Sequence, residues 1–144
     1  MTYFKNDHGA AQLFFQSARG GGLGATDIYV SDQFPNGTLG PASLVAELSS
    51  PGLEQRPSIR FDGLEMFFFS DRPGGFGTVD LWVSTRDTIV DAWLVPMNLG
   101  QSVNTAFGDF QPYIASDRET LYFGSARPGG LGGQDIWVTT RSKQ

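Results

Sequence analysis

SDRPGGFGTVDLWVS, Ser70 to Ser84, sets a glycine-rich run and one arginine directly ahead of a strand-like segment. The stretch has two counterparts. SARGGGLGATDIYVS (Ser17 to Ser31) precedes it and SARPGGLGGQDIWVT (Ser125 to Thr139) follows it. Arg19, Arg72 and Arg127 fall 53 and 55 residues apart, and Asp27, Asp80 and Asp135 keep the same spacings. A period near fifty that holds loop and strand residues in phase marks a repeat architecture. Outward from these runs, QLFFQS (Gln12 to Ser17), LEMFFFS (Leu64 to Ser70) and TLYFGS (Thr120 to Ser125) repeat as well. Farther upstream, EQRPSIRFDG (Glu54 to Gly63) lines up with DFQPYIASDR (Asp109 to Arg118). The repeat units are therefore approximately 1–53, 54–108 and 109–144 of a single domain.

Each unit reads as four short strands, rich in β-branched and aromatic residues and separated by Gly, Pro, Asn or Asp. Strand a is PSIRF or PYIAS, and strand b is the aromatic run. Strand c is DIYVS, DLWVS or DIWVT, and strand d is SLVAEL (Ser43 to Leu48) or AWLVPM (Ala92 to Met97). The run MFFF is apolar on both faces, so its sheet should be covered on both sides. Radially stacked blades do this, because each small sheet lies between two others. Helical periodicity is absent. The expectation is an all-β chain of eleven strands, about 2.75 antiparallel four-stranded blades, with strand a innermost and strand d outermost. Propellers close with typically four to eight blades, so such a chain closes a ring only by assembling or within a longer propeller.

Composition narrows the function. The chain of 144 residues is 40% hydrophobic, with 12 Phe, 3 Trp and 4 Tyr, enough for a packed core. A net charge of −5 argues against nucleic acid as partner, since phosphate backbones demand a basic patch. Cysteine is absent, which removes disulfides and thiolate metal sites. MTYFKNDHGA has no apolar segment of signal-peptide length, and no run of 18 apolar residues occurs, so no membrane insertion is expected. His8 is the single histidine, a poor basis for a metal site or a Ser-His-Asp arrangement. The glycine runs precede strands rather than a helix, and no G-K-[ST] follows, so phosphate cradling is not expected. No G-x-S-x-G elbow and no calcium loop is present. No cofactor, metal or catalytic residue is expected.

The pattern E/D-x-x-P, then D-G, then LYF-x-S-x-RPGG-x-GG-x-DIWVS resembles the TolB-like, WD-repeat-like β-propeller family of bacterial envelope proteins. Here it reads Asp109, Pro112, Asp117, then LYFGSARPGGLGGQDIWVT. The resemblance implies a binding or scaffold module of the periplasm or cell envelope, in rings that usually have six blades. Two departures stand out. The first unit aligns Tyr3 with Tyr113 and Asp7 with Asp117, but has two extra residues and no E/D-x-x-P. The last unit stops at RSKQ, without a strand d.

Candidate residues follow from loop geometry. Asp27, Asp80 and Asp135 open strand c, where their carboxylates can accept N–H bonds from the glycine loop. Pairing of Arg19 with Asp27, Arg72 with Asp80 and Arg127 with Asp135 is the structural expectation. The d–a loops carry Glu54 and Asp109 on the same face as the b–c loops with Arg72 and Arg127. These four either form a polar funnel for a ligand or pair with each other and hold blades in register. Trp82 and Trp137 read as inter-blade packing, and Trp93 as an exposed aromatic. The self-assembly surface expected for a homodimer comprises Leu13, Phe14 and Phe15 of the first unit and Leu121, Tyr122, Phe123 and Trp137 of the third. Two functional readings stand: a non-catalytic module for a protein or peptide partner, and a carbohydrate- or small-ligand-binding propeller, the remnant of a hydrolase accessory domain.

Overall fold

Three antiparallel sheets, each a simple up-and-down meander, make up the chain. The computed structural model describes residues 1–6, 9 and 11–141; His8 and Asp7 lie outside the described residues. Blade 1 is β1 (Thr2–Lys5), β2 (Ala11–Ser17), β3 (Asp27–Gln33) and β4 (Ser43–Leu44). Blade 2 is β5 (Glu54–Ile59), β6 (Glu65–Ser70), β7 (Asp80–Thr85) and β8 (Met97–Asn98). Blade 3 is β9 (Asp109–Ile114), β10 (Thr120–Ser125) and β11 (Asp135–Thr140). A single 3-10 turn, Ala46–Leu48, is all the helix among the described residues.

Register makes the repeats superimpose residue by residue. Phe14 pairs with Val30, Phe67 with Val83 and Tyr122 with Val138. The inner strands give a correction: Thr2 stands opposite Phe14, as Ser58 stands opposite Phe67 and Tyr113 opposite Tyr122. Thr2 rather than Tyr3 therefore corresponds to Tyr113. The hydroxyl at this position staples neighbouring blades. Thr2 Oγ1 accepts from the Ile59 N–H at 3.3 Å, and Ser58 Oγ from the Ile114 N–H at 3.1 Å. The first strands of successive blades are thus the ones that touch, which puts strand a at the centre and strand d at the rim.

Alternation along each strand sends apolar side chains to both faces and builds two seams. Between blades 1 and 2 lie Phe4, Phe14, Ile28, Ile59, Met66, Phe68, Trp82 and Trp93. Between blades 2 and 3 lie Phe67, Phe69, Leu81, Val83, Ile114, Leu121 and Phe123, with Trp137 packed against them. The surface expected for assembly is divided by this parity. Phe14, Leu121, Phe123 and Trp137 face blade 2 of their own chain, whereas Leu13, Phe15 and Tyr122 lie on the outward faces.

The outer strands differ from expectation. Strand d of blade 2 is Met97–Asn98, not Ala92–Met97, and that of blade 1 is only Ser43–Leu44. The c–d connection of blade 2 instead folds back over the seam with blade 1. Trp93 is consequently 6% exposed, not an open aromatic. Its ring meets Phe14 edge-on at 6.1 Å and carries the Arg86 guanidinium on its face at 4.3 Å.

Candidate functional site

The repeated loops show where each charged residue goes. In blade 2, Glu54 opens β5 and Arg72 follows β6, and the two meet at 3.1 Å. Arg72 lies between the rings of Phe68 (5.0 Å) and Trp82 (5.3 Å), donates from Nε to Ser70 Oγ, and reaches the Leu48 carbonyl with Nη2. Burial lowers the pKa of this guanidinium, and the Glu54 charge opposes the shift. Glu54 also accepts from Ser70 Oγ at 2.9 Å and from the Ser50 N–H at 2.9 Å. Blade 3 copies the arrangement. Arg127 pairs with Asp109 at 2.8 Å between Phe123 and Trp137, both at 5.1 Å, and donates to the Val103 carbonyl. Glu54 and Asp109 are both 0% exposed. Their carboxylates therefore pin each blade to the chain leaving the previous one, and do not line an open funnel.

The aspartates of strand c have a different role from the arginines. Asp80 accepts from the Phe76 and Gly77 N–H groups and from Asn98 Nδ2. Asp27 accepts from the Leu23 and Gly24 N–H groups, and Asp135 from Gly132 N–H. The expected pairs Arg72–Asp80 and Arg127–Asp135 are not formed, because each arginine points inward along the aromatic rings toward strand a. Blade 1 departs from the pattern on both counts. Arg19 is exposed, lies over Phe15 (5.1 Å) and Tyr29 (4.8 Å), and has no carboxylate within ion-pair distance among the described residues. Leu44 stands opposite Tyr29 where Asn98 stands opposite Trp82, so Asp27 lacks the amide donor that Asp80 has.

The open site is elsewhere, on the axial side of the three inner strands. Ladder pairing breaks after Gln55 in β5 and after Phe110 in β9, and in each bulge one residue turns left-handed: Arg56 and Gln111, both at φ 52°. Non-glycine residues take this conformation only where the surroundings enforce it. Both side chains are exposed. With Met1, Thr2, Pro57, Ser58, Pro112 and Tyr113 they line a groove of about 220 Å³. It offers a guanidinium, an amide, a phenol and two proline rings, a set suited to holding a polar or anionic chain and lacking a carboxylate for general acid–base work. Sequence reading passed over Arg56 and Gln111. The signal was there: each immediately precedes the proline of E/D-x-x-P, at the one position that must bulge.

No protein-family model matches the chain, and no curated protein matches it. Among solved structures it is similar to a thermostable family-43 glycoside hydrolase, a five-bladed β-propeller, at 13% identity and a TM-score of 0.56. The alignment covers 99% of this chain and 58% of that one, so the chain spans less than two thirds of the hydrolase's length. At such identity the likeness concerns the fold alone. The class defined by the fold is an all-β protein of propeller-type blades in an open, incomplete ring.

Proposed function

We propose that the chain is a non-catalytic binding module of the TolB-like propeller type, and that its axial groove holds an extended, acidic peptide segment of a protein partner. The observation that carries this reading is the contrast between the two sets of polar residues. Glu54 and Asp109, the acids of the loop face, are buried in ion pairs. Arg56 and Gln111 are exposed, in a groove that Pro57, Pro112 and Tyr113 also line. A cation flanked by an amide donor and flat apolar rings matches a carboxylate side chain on an extended backbone.

Carbohydrate binding is the second reading. It draws on the likeness to a glycoside hydrolase and on the exposed pair Tyr113 and Tyr122, whose rings stand 6.5 Å apart. Parallel binding screens against an acidic peptide library and a glycan array separate the two. The peptide reading expects library hits whose affinity falls at least tenfold in Arg56→Ala, with no turnover of aryl glycosides. Glycan binding abolished by Tyr113→Ala, with no peptide hit, would replace it.

A further inference from the structure

Every blade has two faces, and the two seams show what each face packs against. The face of blade 1 that carries Phe14, Ile28 and Val30 lies on the face of blade 2 that carries Met66, Phe68 and Trp82. The opposite face of blade 2, with Phe67, Leu81 and Val83, lies on Leu121, Phe123 and Trp137 of blade 3. One face of each kind remains. On blade 1, Leu13, Phe15 and Tyr29 occupy the register positions of Met66, Phe68 and Trp82. On blade 3, Tyr122, Ile136 and Val138 occupy those of Phe67, Leu81 and Val83. The second of these is wide open, with Ile136 82% and Val138 58% exposed. An apolar face of this extent on a soluble chain marks an interaction surface.

We propose that a second copy of this chain covers both faces, blade 3 of each copy seating on blade 1 of the other to close a ring of six blades. The two faces are the two halves of a contact that the chain already makes twice within itself, so each is complementary to the other by construction; on blade 1, Leu13 and Phe15 are half-buried and Tyr29 is covered, with Arg19 lying over Phe15 and Tyr29. Ring size selects the stoichiometry. Blades come in threes, and of three, six and nine only six falls in the range of four to eight at which propellers close. Three blades then span half a turn, and the copies are related by a two-fold axis, the commonest oligomeric symmetry. Tyr113 holds the register place of Ser58, and Tyr3 of the partner subunit holds that of Ile114, so the closure sets these two residues side by side across the junction. The proposal depends on the propeller fold and not on the peptide reading, and it covers Tyr122, which the carbohydrate reading needs exposed.

Light scattering on the full chain is expected to give twice 15.6 kDa at micromolar concentration. Val138 is 58% exposed in the single chain, so Val138→Arg disturbs little internal packing and is expected to give one folded chain with an unchanged circular dichroism spectrum. The absence of native cysteine allows a directed cross-link. Tyr113→Cys and Tyr3→Cys chains, mixed and oxidised, are expected to form a covalent dimer that neither forms alone. A folded wild-type monomer overturns the proposal. So does a cross-link in Tyr113→Cys alone, which requires like faces to meet, or a ring of three copies.

Discussion

Asp80 shows what a buried carboxylate demands of a loop. At 1% exposure it has lost its water, and it recovers three donors: the Phe76 and Gly77 N–H groups and Asn98 Nδ2. Leaving such donors unpaired costs about 1–3 kcal/mol in all. Asp80→Ala is accordingly expected to lower the unfolding free energy by roughly 1–3 kcal/mol in a denaturant titration. Asp80→Asn, which retains one acceptor oxygen, should recover part of the loss. Stability equal to wild type, with the Gly74–Gly77 loop still ordered, would show that the loop holds itself. Arg72 illustrates a second residue-scale rule. A guanidinium has five donors in a plane, and here that plane lies between two rings while its edge serves Glu54, Ser70 and the Leu48 carbonyl. Lysine offers a point charge without a stacking plane, so it would not replace this arginine.

At the scale of elements, the glycine runs serve close packing more than turning. A Cβ at Gly24 would sit 2.0 Å from the Gly52 carbonyl oxygen, and one at Gly77 would sit 2.0 Å from that of Phe107. The chain entering the next blade lies directly on the loop of the previous one. The Ala25 N–H donates to Gly52 O at 2.8 Å, and the Asp109 N–H to Val79 O at 3.0 Å. Gly132 holds the same place in blade 3, where a Cβ would meet nothing closer than 3.9 Å. The equivalent positions should therefore respond differently to one substitution. Gly77→Ala is expected to destabilise by about 1–3 kcal/mol, the usual range for overpacking. Gly132→Ala is expected to change the melting temperature by less than about 2 °C, in keeping with an exposed surface change. Equal effects at the two sites would mean that backbone freedom, and not the neighbouring blade, explains the glycines.

Across the whole molecule, charge bridges the seam between blades 2 and 3. Arg141 of the third unit bonds both carboxylate oxygens of Glu65, and Arg60 joins Glu65 to Asp62. Burial pushes the Asp62 carboxyl up, but hydrogen bonds from Arg60 and the Leu64 N–H, with the charges of Arg60 and Arg118, bring it below its ordinary value. A carboxyl whose pKa is lower folded than unfolded stabilises the fold above its unfolded pKa of about 3.9. That contribution disappears as pH falls through the lower, folded value. Melting temperature is thus expected to hold between about pH 6 and 8 and to fall below about pH 4. Asp62→Asn should make the acid limb shallower while lowering stability at neutral pH. An unchanged acid limb in the variant would remove Asp62 from the account.

The sequence by itself determined what depends on near neighbours along the chain. The spacing of Arg19, Arg72 and Arg127 marks the repeat, and Asp27, Asp80 and Asp135 accept from their own loops, where donor and acceptor lie within four residues of each other. The eleven strands follow from runs of β-branched and aromatic residues between turn residues, and those also act locally. Only the tertiary structure decided the rest. In MFFF both parities are apolar, so pattern alone does not say which face of blade 3 meets blade 2, and Tyr122 and Phe123 had to be separated by packing. Arg72 passed over the nearby Asp80 for Glu54, 18 residues back, because the aromatic rings of strands b and c steer it there. Trp93 went under Arg86 and against Phe14 of another blade instead of extending a strand. The choice of face and the place of Trp93 are settled by contacts between blades, which no single repeat contains, and the Arg72–Glu54 pair by contacts across the strands of one blade.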